Sequence, residues 1–197
     1  MDEGIRNGIP GQENQEQLSV VVELATKKDW EAYKKLRLEA IGGKYQEVFG
    51  AGPQKLEEES RRTPEEWQDD LSREDMFVIL AWDKEEPVGM ARALEREKGI
   101  WRTQSGYVVE KLQNQHIGRK LFAARILEIK KRGAGKVSMM VEAENERSIH
   151  LNEKLGFRKT TDEPQADKTQ DGKEFRFYRM EMDLTDEIIR QAEEILR

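Results

Sequence analysis

Apolar and polar positions fall in blocks whose period changes along the chain. Residues 18–24 (LSVVVEL) form a β-branched run that predicts a buried strand. Trp30, Tyr33, Leu36 and Ile41 then recur at helical spacing behind Thr26 and Asp29, a capping-box pair, and Gly42-Gly43 closes that helix. Thr63-Pro64-Glu65-Glu66 opens a second helix with a cap, a proline at its first position and a glutamate at its third. Trp67 and Leu71 share its apolar face. Strand-like runs follow at 76–82, 88–94 and 100–109, with a turn over 83–86. A helix over 119–132 turns Phe122, Ile126 and Ile129 inward and ends at Gly133. Then come a strand over 137–141, a helix over 145–155, a strand start at Phe157, a polar hairpin and an aromatic-rich strand over 175–184. Thr185 caps a last helix striped with Ile188, Ile189, Ala192, Ile195 and Leu196. The order β-α-α-β-β-β-α-β-α-β-β-α predicts an α/β domain of the α+β type. A meander leads into a β-α-β unit, which demands a parallel strand pair in a mixed sheet.

With 197 residues the chain is long enough for one domain with a real core. Its 36% hydrophobic and 38% charged residues imply an economical core under a heavily charged surface. A net charge of −6 argues against nucleic acid and against an anionic membrane as partners. No apolar run spans a bilayer, and the polar residues 1–17 lack a signal-peptide core and read as a flexible tail. The expectation is a soluble cytoplasmic protein. With no cysteine, disulfides, thiolate metal sites and a cysteine nucleophile are excluded, and His116 and His150, the only histidines, give no basis for a metal site.

The chemistry concentrates in two segments. YVVEKLQNQHIGRKLF, from Tyr107, passes from strand through a short polar turn into a helix. A helix N-terminus reached that way aims several unpaired N–H groups, and the positive end of the helix dipole, in one direction, which suits a phosphate-type anion. NERSIHLNEKLGF, from Asn145, is a second capped helix that ends at Gly156. The run Gly133-Ala134-Gly135-Lys136 lacks the first glycine and the hydroxyl residue of a nucleotide-binding loop and reads as a turn. The acidic groups at 57–59, 65–66 and 69–70 read as solvated helix faces, with a cationic amine partner as the alternative.

Together these segments resemble the GNAT superfamily of N-acetyltransferases. In its first motif, Arg/Gln-x-x-Gly-x-Gly/Ala, Gln113, His116 and Gly118 take the three places. Its second motif is matched at Asn145, Ile149, Leu151, Glu153, Lys154, Gly156 and Phe157, with Ser148 for an alanine and Asn152 for a tyrosine. The likeness spans residues 18–184. It implies a mixed, mostly antiparallel central sheet of about seven strands flanked by helices, with residues 185–197 as an extra C-terminal helix packed on the domain.

The resemblance further implies acetyl-CoA as cosubstrate, with no metal, and transfer of its acetyl group to a primary amine by direct attack in a ternary complex. The alternative is a catalytically weak acyl-CoA-binding sensor or partner module. The implied cosubstrate contacts are Gln113, Asn114, Gln115, His116, Ile117, Gly118, Arg119 and Lys120 around the pyrophosphate, and Asn145 and Ser148 on the second helix. His116 in a glycine place argues against a contact that needs positive φ there. A bulge in the strand 106–109 would splay it from the strand 137–141, with a main-chain N–H of Val108 or Val109 stabilising the oxyanion. No base is assigned: the strand WRTQSGYVV carries no carboxylate, which leaves Glu95, Glu97 and Glu142. Tyr107, Glu142 and Asn152 are the catalytic candidates, with Tyr178 a further substitute for the missing tyrosine acid. The acceptor amine is unidentified and the assembly is a monomer or homodimer.

Overall fold

The computed structural model describes residues 19–43, 53–168 and 174–197; the N-terminal tail expected over 1–17 lies outside them. Eight strands form one sheet in the order β1-β2-β3-β4-β5-β8-β6, with β7 also paired to β8. The strands are β1 (Val20–Leu24), β2 (Met76–Asp83), β3 (Glu86–Glu97), β4 (Ile100–Val108), β5 (Lys136–Glu142), β6 (Arg158–Lys159), β7 (Gln165–Lys168) and β8 (Glu174–Asp183). All pairings are antiparallel except β4 with β5. That pair is bridged by α4 (Ile117–Lys131), the crossover that a parallel pair requires.

The remaining helices are α1 (Trp30–Gly42), α2 (Pro53–Ser60), α3 (Pro64–Asp70), α5 (Glu146–Lys154) and α6 (Asp186–Leu196). Two elements exceed the sequence expectation. α2 has its buried position filled by a charge, Glu59, so it offers no apolar period to read. β7, inside the expected polar hairpin, is exposed along its whole length and exists through main-chain pairing to β8. Among the described residues the sheet has eight strands, and it is the mixed, mostly antiparallel sheet flanked by helices that was expected.

The caps sit where the residue types place them. Thr63 Oγ1 accepts the Glu66 N–H while Glu66 Oε2 accepts the Thr63 N–H at 2.7 Å. Thr185 Oγ1 accepts the Ile188 N–H.

Two cores cover the two faces of the sheet. Phe77, Ile79, Ala91, Trp101 and Val137 pack under α4, α5 and α6 through Ile126, Ile149 and Ala192. Val78, Leu80, Met90 and Tyr107 pack under α1 and α3 through Leu36, Tyr33 and Trp67, and the rings of Tyr33 and Trp67 meet edge to face at 5.3 Å. Trp101 and Tyr107 lie on one strand, an even number of residues apart, yet belong to opposite cores. The register between β3 and β4 explains this: it slips between the pairs Met90–Tyr107 and Arg92–Gln104, so Ser105 and Gly106 together face Ala91. One extra residue reverses the face of every side chain beyond it.

Candidate active site

The bulge opens the middle of the sheet. β4 pairs with β5 only at Ile100, Trp101 and Arg102, opposite Lys136, Val137 and Ser138. Beyond those pairs both strands continue, β4 to Val108 and β5 to Glu142, with no partner between them. Ser105 takes φ +49°, and Gly106 has open space on its Cβ side. Arg125, buried in α4, plugs the bulge by donating to the carbonyls of Gln104 (3.2 Å) and Arg92 (3.4 Å). Burial without a carboxylate partner pulls its pKa down to about 10. The inward face read from α4 gave only apolar positions, and a buried arginine that serves a bulge has no local sequence signal.

At the open end of β4 the Val109 N–H donates to Val88 O at 3.0 Å. It is therefore closed to a ligand. Alternation along the strand turns the neighbouring Val108 N–H away from β3 and toward the gap, where β4 has no strand partner. Of the two valines, Val108 alone offers a donor. The Val108 carbonyl is held by the Gln113 side-chain amide at 3.2 Å, which ties the following turn to the strand end.

That turn runs through a 3-10 segment, Glu110–Leu112, and two left-handed residues, Asn114 (φ +65°) and His116 (φ +61°, ψ +4°), before α4 begins. Positive φ is thus required at His116, contrary to the expectation from its side chain. Asn and His are among the non-glycine residues that enter this region most readily. The consequence is local. The His116 carbonyl turns inward to accept the N–H groups of Arg119 (3.0 Å) and Lys120 (3.2 Å). The N–H groups of Gln115, His116, Ile117 and Gly118 bond to nothing among the described residues. Gln115, His116 and Gly118 are exposed, and a Cβ on Gly118 would meet nothing within 4 Å. Unpaired donors at the positive end of a 15-residue helix form a cradle for an anion. Lys120, by contrast, sends its ammonium to Val20 O at 3.2 Å.

On α5 the Asn145 Oδ1 accepts the Ser148 N–H at 3.0 Å, so it caps the helix and leaves its Nδ2 group unbonded among the described residues. Asn152 is buried and folds back on its own helix, donating to Ser148 O (2.8 Å) and Ser148 Oγ (3.3 Å). The Tyr107 hydroxyl, on the α1 face of the sheet beside the bulge, donates to Glu39 Oε1 at 2.7 Å. Glu142 sits half-buried at the end of β5, and Tyr178 on β8 lies under the Lys159 ammonium. Glu95 is engaged by the Gly99 N–H at 2.6 Å. Glu39, on α1, is an exposed carboxylate that reaches the Tyr107 side chain of β4 and that no local sequence pattern singles out. Its only signal is a contact between residues far apart in sequence.

A family model, the acetyltransferase (GNAT) family, matches residues 44–157. The chain belongs to the GNAT acetyltransferase family. Solved structures share this GNAT fold at low identity. A PaiA N-acetyltransferase from Thermoplasma acidophilum in complex with coenzyme A is 15% identical, with 84% of this chain and 99% of that one covered and a TM-score of 0.62. YncA of Salmonella typhimurium, a putative acetyltransferase with its cofactor acetyl-CoA, is 19% identical over 85% and 95%, with a TM-score of 0.66. A ribosomal-protein-alanine N-acetyltransferase from Brucella melitensis is 21% identical over 83% and 99%, with a TM-score of 0.65. No curated protein sequence matches this chain. Among the described residues no helix is long and apolar enough to cross a membrane.

Beside the phosphate-type cradle of this GNAT chain lies an open cavity of about 430 Å³ between α4, the end of α5 and α6. His116, Arg119, Phe122, Lys154, Leu155 and Ile188 are among the residues that line it.

Proposed function

We propose that the protein is an N-acetyltransferase that moves the acetyl group of acetyl-CoA to a primary amine by direct attack in a ternary complex. The observation that carries this reading is the coincidence of unpaired N–H groups from Gln115 to Gly118 with the gap between β4 and β5. The pyrophosphate would lie on the first, the pantetheine arm in the second, and the nucleotide end toward the cavity rimmed by Arg119 and Lys154. The Val108 N–H then faces the thioester oxygen, where it would stabilise the oxyanion.

The amine nitrogen attacks the thioester carbon and a C–N bond forms; as the C–S bond breaks, the nitrogen gives up its second proton, which passes to the departing thiolate directly or through water, leaving a neutral amide and free CoA thiol. An alkylammonium has a pKa of about 10.4, so a proton must first go to a base. Glu39, held by Tyr107, takes that role directly or through water. Glu59 is unsuited to it. Burial alone would raise its pKa, but the Arg37 hydrogen bond and the charges of Arg37, Lys55 and Arg92 outweigh burial and keep it lowered. The second reading, a CoA-binding module with weak turnover, draws on Asn152, whose amide is turned into its own helix and has no transferable proton.

The binding part is tested by thermal shift with CoA and acetyl-CoA; an unmoved Tm at saturating ligand would sink both readings. Thiol release from acetyl-CoA over a panel of primary amines then separates an enzyme from a sensor.

A further inference from the structure

The helix α4 and its turn occupy one side of the gap, so an acceptor must approach from the other face of the sheet, the face of α1. There the floor of the gap is built from arginines. Arg92 on β3 lies opposite Gln104 on β4 and donates to its Oε1 at 2.9 Å and to Tyr33 Oη on α1 at 3.4 Å. Arg102 is two residues from Gln104 on the same strand, in unbroken register, and so shares that face. Its Nη1 lies 3.4 Å from Met140 Sδ on β5, and Met140 is directly opposite Arg179 on β8. The row Arg92, Arg102, Arg179 therefore crosses the sheet below the point where β4 and β5 part.

These guanidiniums are oddly provisioned. All are half-buried, and the Nε of each is buried without a hydrogen-bond partner among the described residues. None has a carboxylate within salt-bridge distance among the described residues. The nearby acids are otherwise engaged: Glu59 binds Arg37 at 2.8 Å and Glu181 binds Lys136 at 3.0 Å. Burial lowers the pKa of Arg102, and repulsion from Arg96 and Arg179 lowers it further, with only Glu97 opposing. A chain with net charge −6 has thus gathered three cations without a salt bridge among the described residues at one half-buried place. Clustered like charges cost stability unless an anion joins them, and guanidinium forks match carboxylate and phosphate oxygens.

We infer that the Arg92–Arg102–Arg179 row binds an anionic group of the acceptor, which is a primary amine that also carries a carboxylate or a phosphate. This rests on the acetyl-transfer reading for the chemistry but not for the binding. It differs from the alternative raised by the acidic helix faces, selection of the acceptor by its cationic amine.

The test uses matched ligands on the full chain: 4-aminobutyrate, 4-aminobutyramide and butylamine for the carboxylate, phosphoethanolamine and ethanolamine for the phosphate, and putrescine as the cationic counterpart. Thermal shift is read with and without saturating CoA, and thiol release is read with acetyl-CoA. The expected result is that an anionic member binds at least tenfold tighter than its neutral partner. The stronger of the carboxylate and phosphate arms identifies the anion. Arg102→Met and Arg179→Gln, made separately in case one fails to fold, should each erase the discrimination and leave CoA affinity unchanged. Equal binding of anionic and neutral members by the wild type, or preference for putrescine, overturns the inference whatever CoA does. A protein that binds the anions but not CoA would instead overturn the acetyl-transfer reading and leave the anion site standing.

Discussion

Gly118 occupies the first turn of α4 at an ordinary negative φ, with open space on its Cβ side. A larger residue therefore fits the fold and obstructs only what lies against the helix end. Gly118→Glu should leave the unfolding midpoint of the free protein within about 0.5 kcal/mol of wild type. It should also abolish the thermal shift with CoA, through steric block and like charge at the helix N-terminus. Wild-type affinity in that variant would remove the cradle from the proposal. The Tyr107–Glu39 contact is tested by Glu39→Gln, which keeps the hydrogen bond and removes the base. Turnover should fall by about 10²- to 10⁴-fold with CoA affinity unchanged, and Tyr107→Phe should fall less. Equal rates at all pH values would clear Glu39 of the role. The motif residues could be read from the sequence because the feature they form is a main-chain one, an unpaired helix end, and its conformers are set locally. Glu39 and Arg125 could not, since each acts on a residue that only folding brings near.

Among the elements, α2 and α1 are joined by the buried pair Arg37–Glu59, with Arg37 also reaching Ser105 Oγ at the bulge at 3.1 Å. Glu59 titrates below its ordinary value of 4.5 in the folded protein. A lowered carboxyl pKa means that the unfolded chain binds its proton first. The pair's contribution is complete above the unfolded value and is lost as pH falls through the folded one. Urea midpoints of wild type should thus fall below about pH 4.5 more steeply than those of Glu59→Gln. At pH 7, Glu59→Ala should cost about 3–5 kcal/mol by leaving Arg37 charged and unpaired. α3 is simpler, and Thr63→Ala should cost about 1 kcal/mol in the same measurement by removing its cap. α3 was legible because its cap, proline and glutamate are local signals. α2 was not, because the face it buries is ionic, and β7 was not, because its side chains stay in water and only its main chain is used.

At the scale of the molecule, α6 closes the α4 side of the sheet. Ala192 enters the core, and a Cβ on Gly156 (φ +99°) would come within 3.3 Å of Ile188 Cδ1. Truncation after Leu184 should expose Phe122 and Leu155, remove one wall of the cavity beside the cradle and lower stability by about 3–5 kcal/mol in urea unfolding. Acetyl-CoA affinity should drop with it; unchanged affinity in a folded truncation would place the nucleotide end elsewhere. By itself the sequence determined the order of the elements apart from α2 and β7, the caps and the helix end that offers its N–H groups, since periodicity and turn chemistry act over a few residues. The tertiary structure decided which valine keeps a free N–H, that the bulge moves Tyr107 to the other core, and that Arg92, Arg102 and Arg179 share one floor. Those depend on strand register and on which face each strand shows its neighbours, and register is fixed only when distant segments pair.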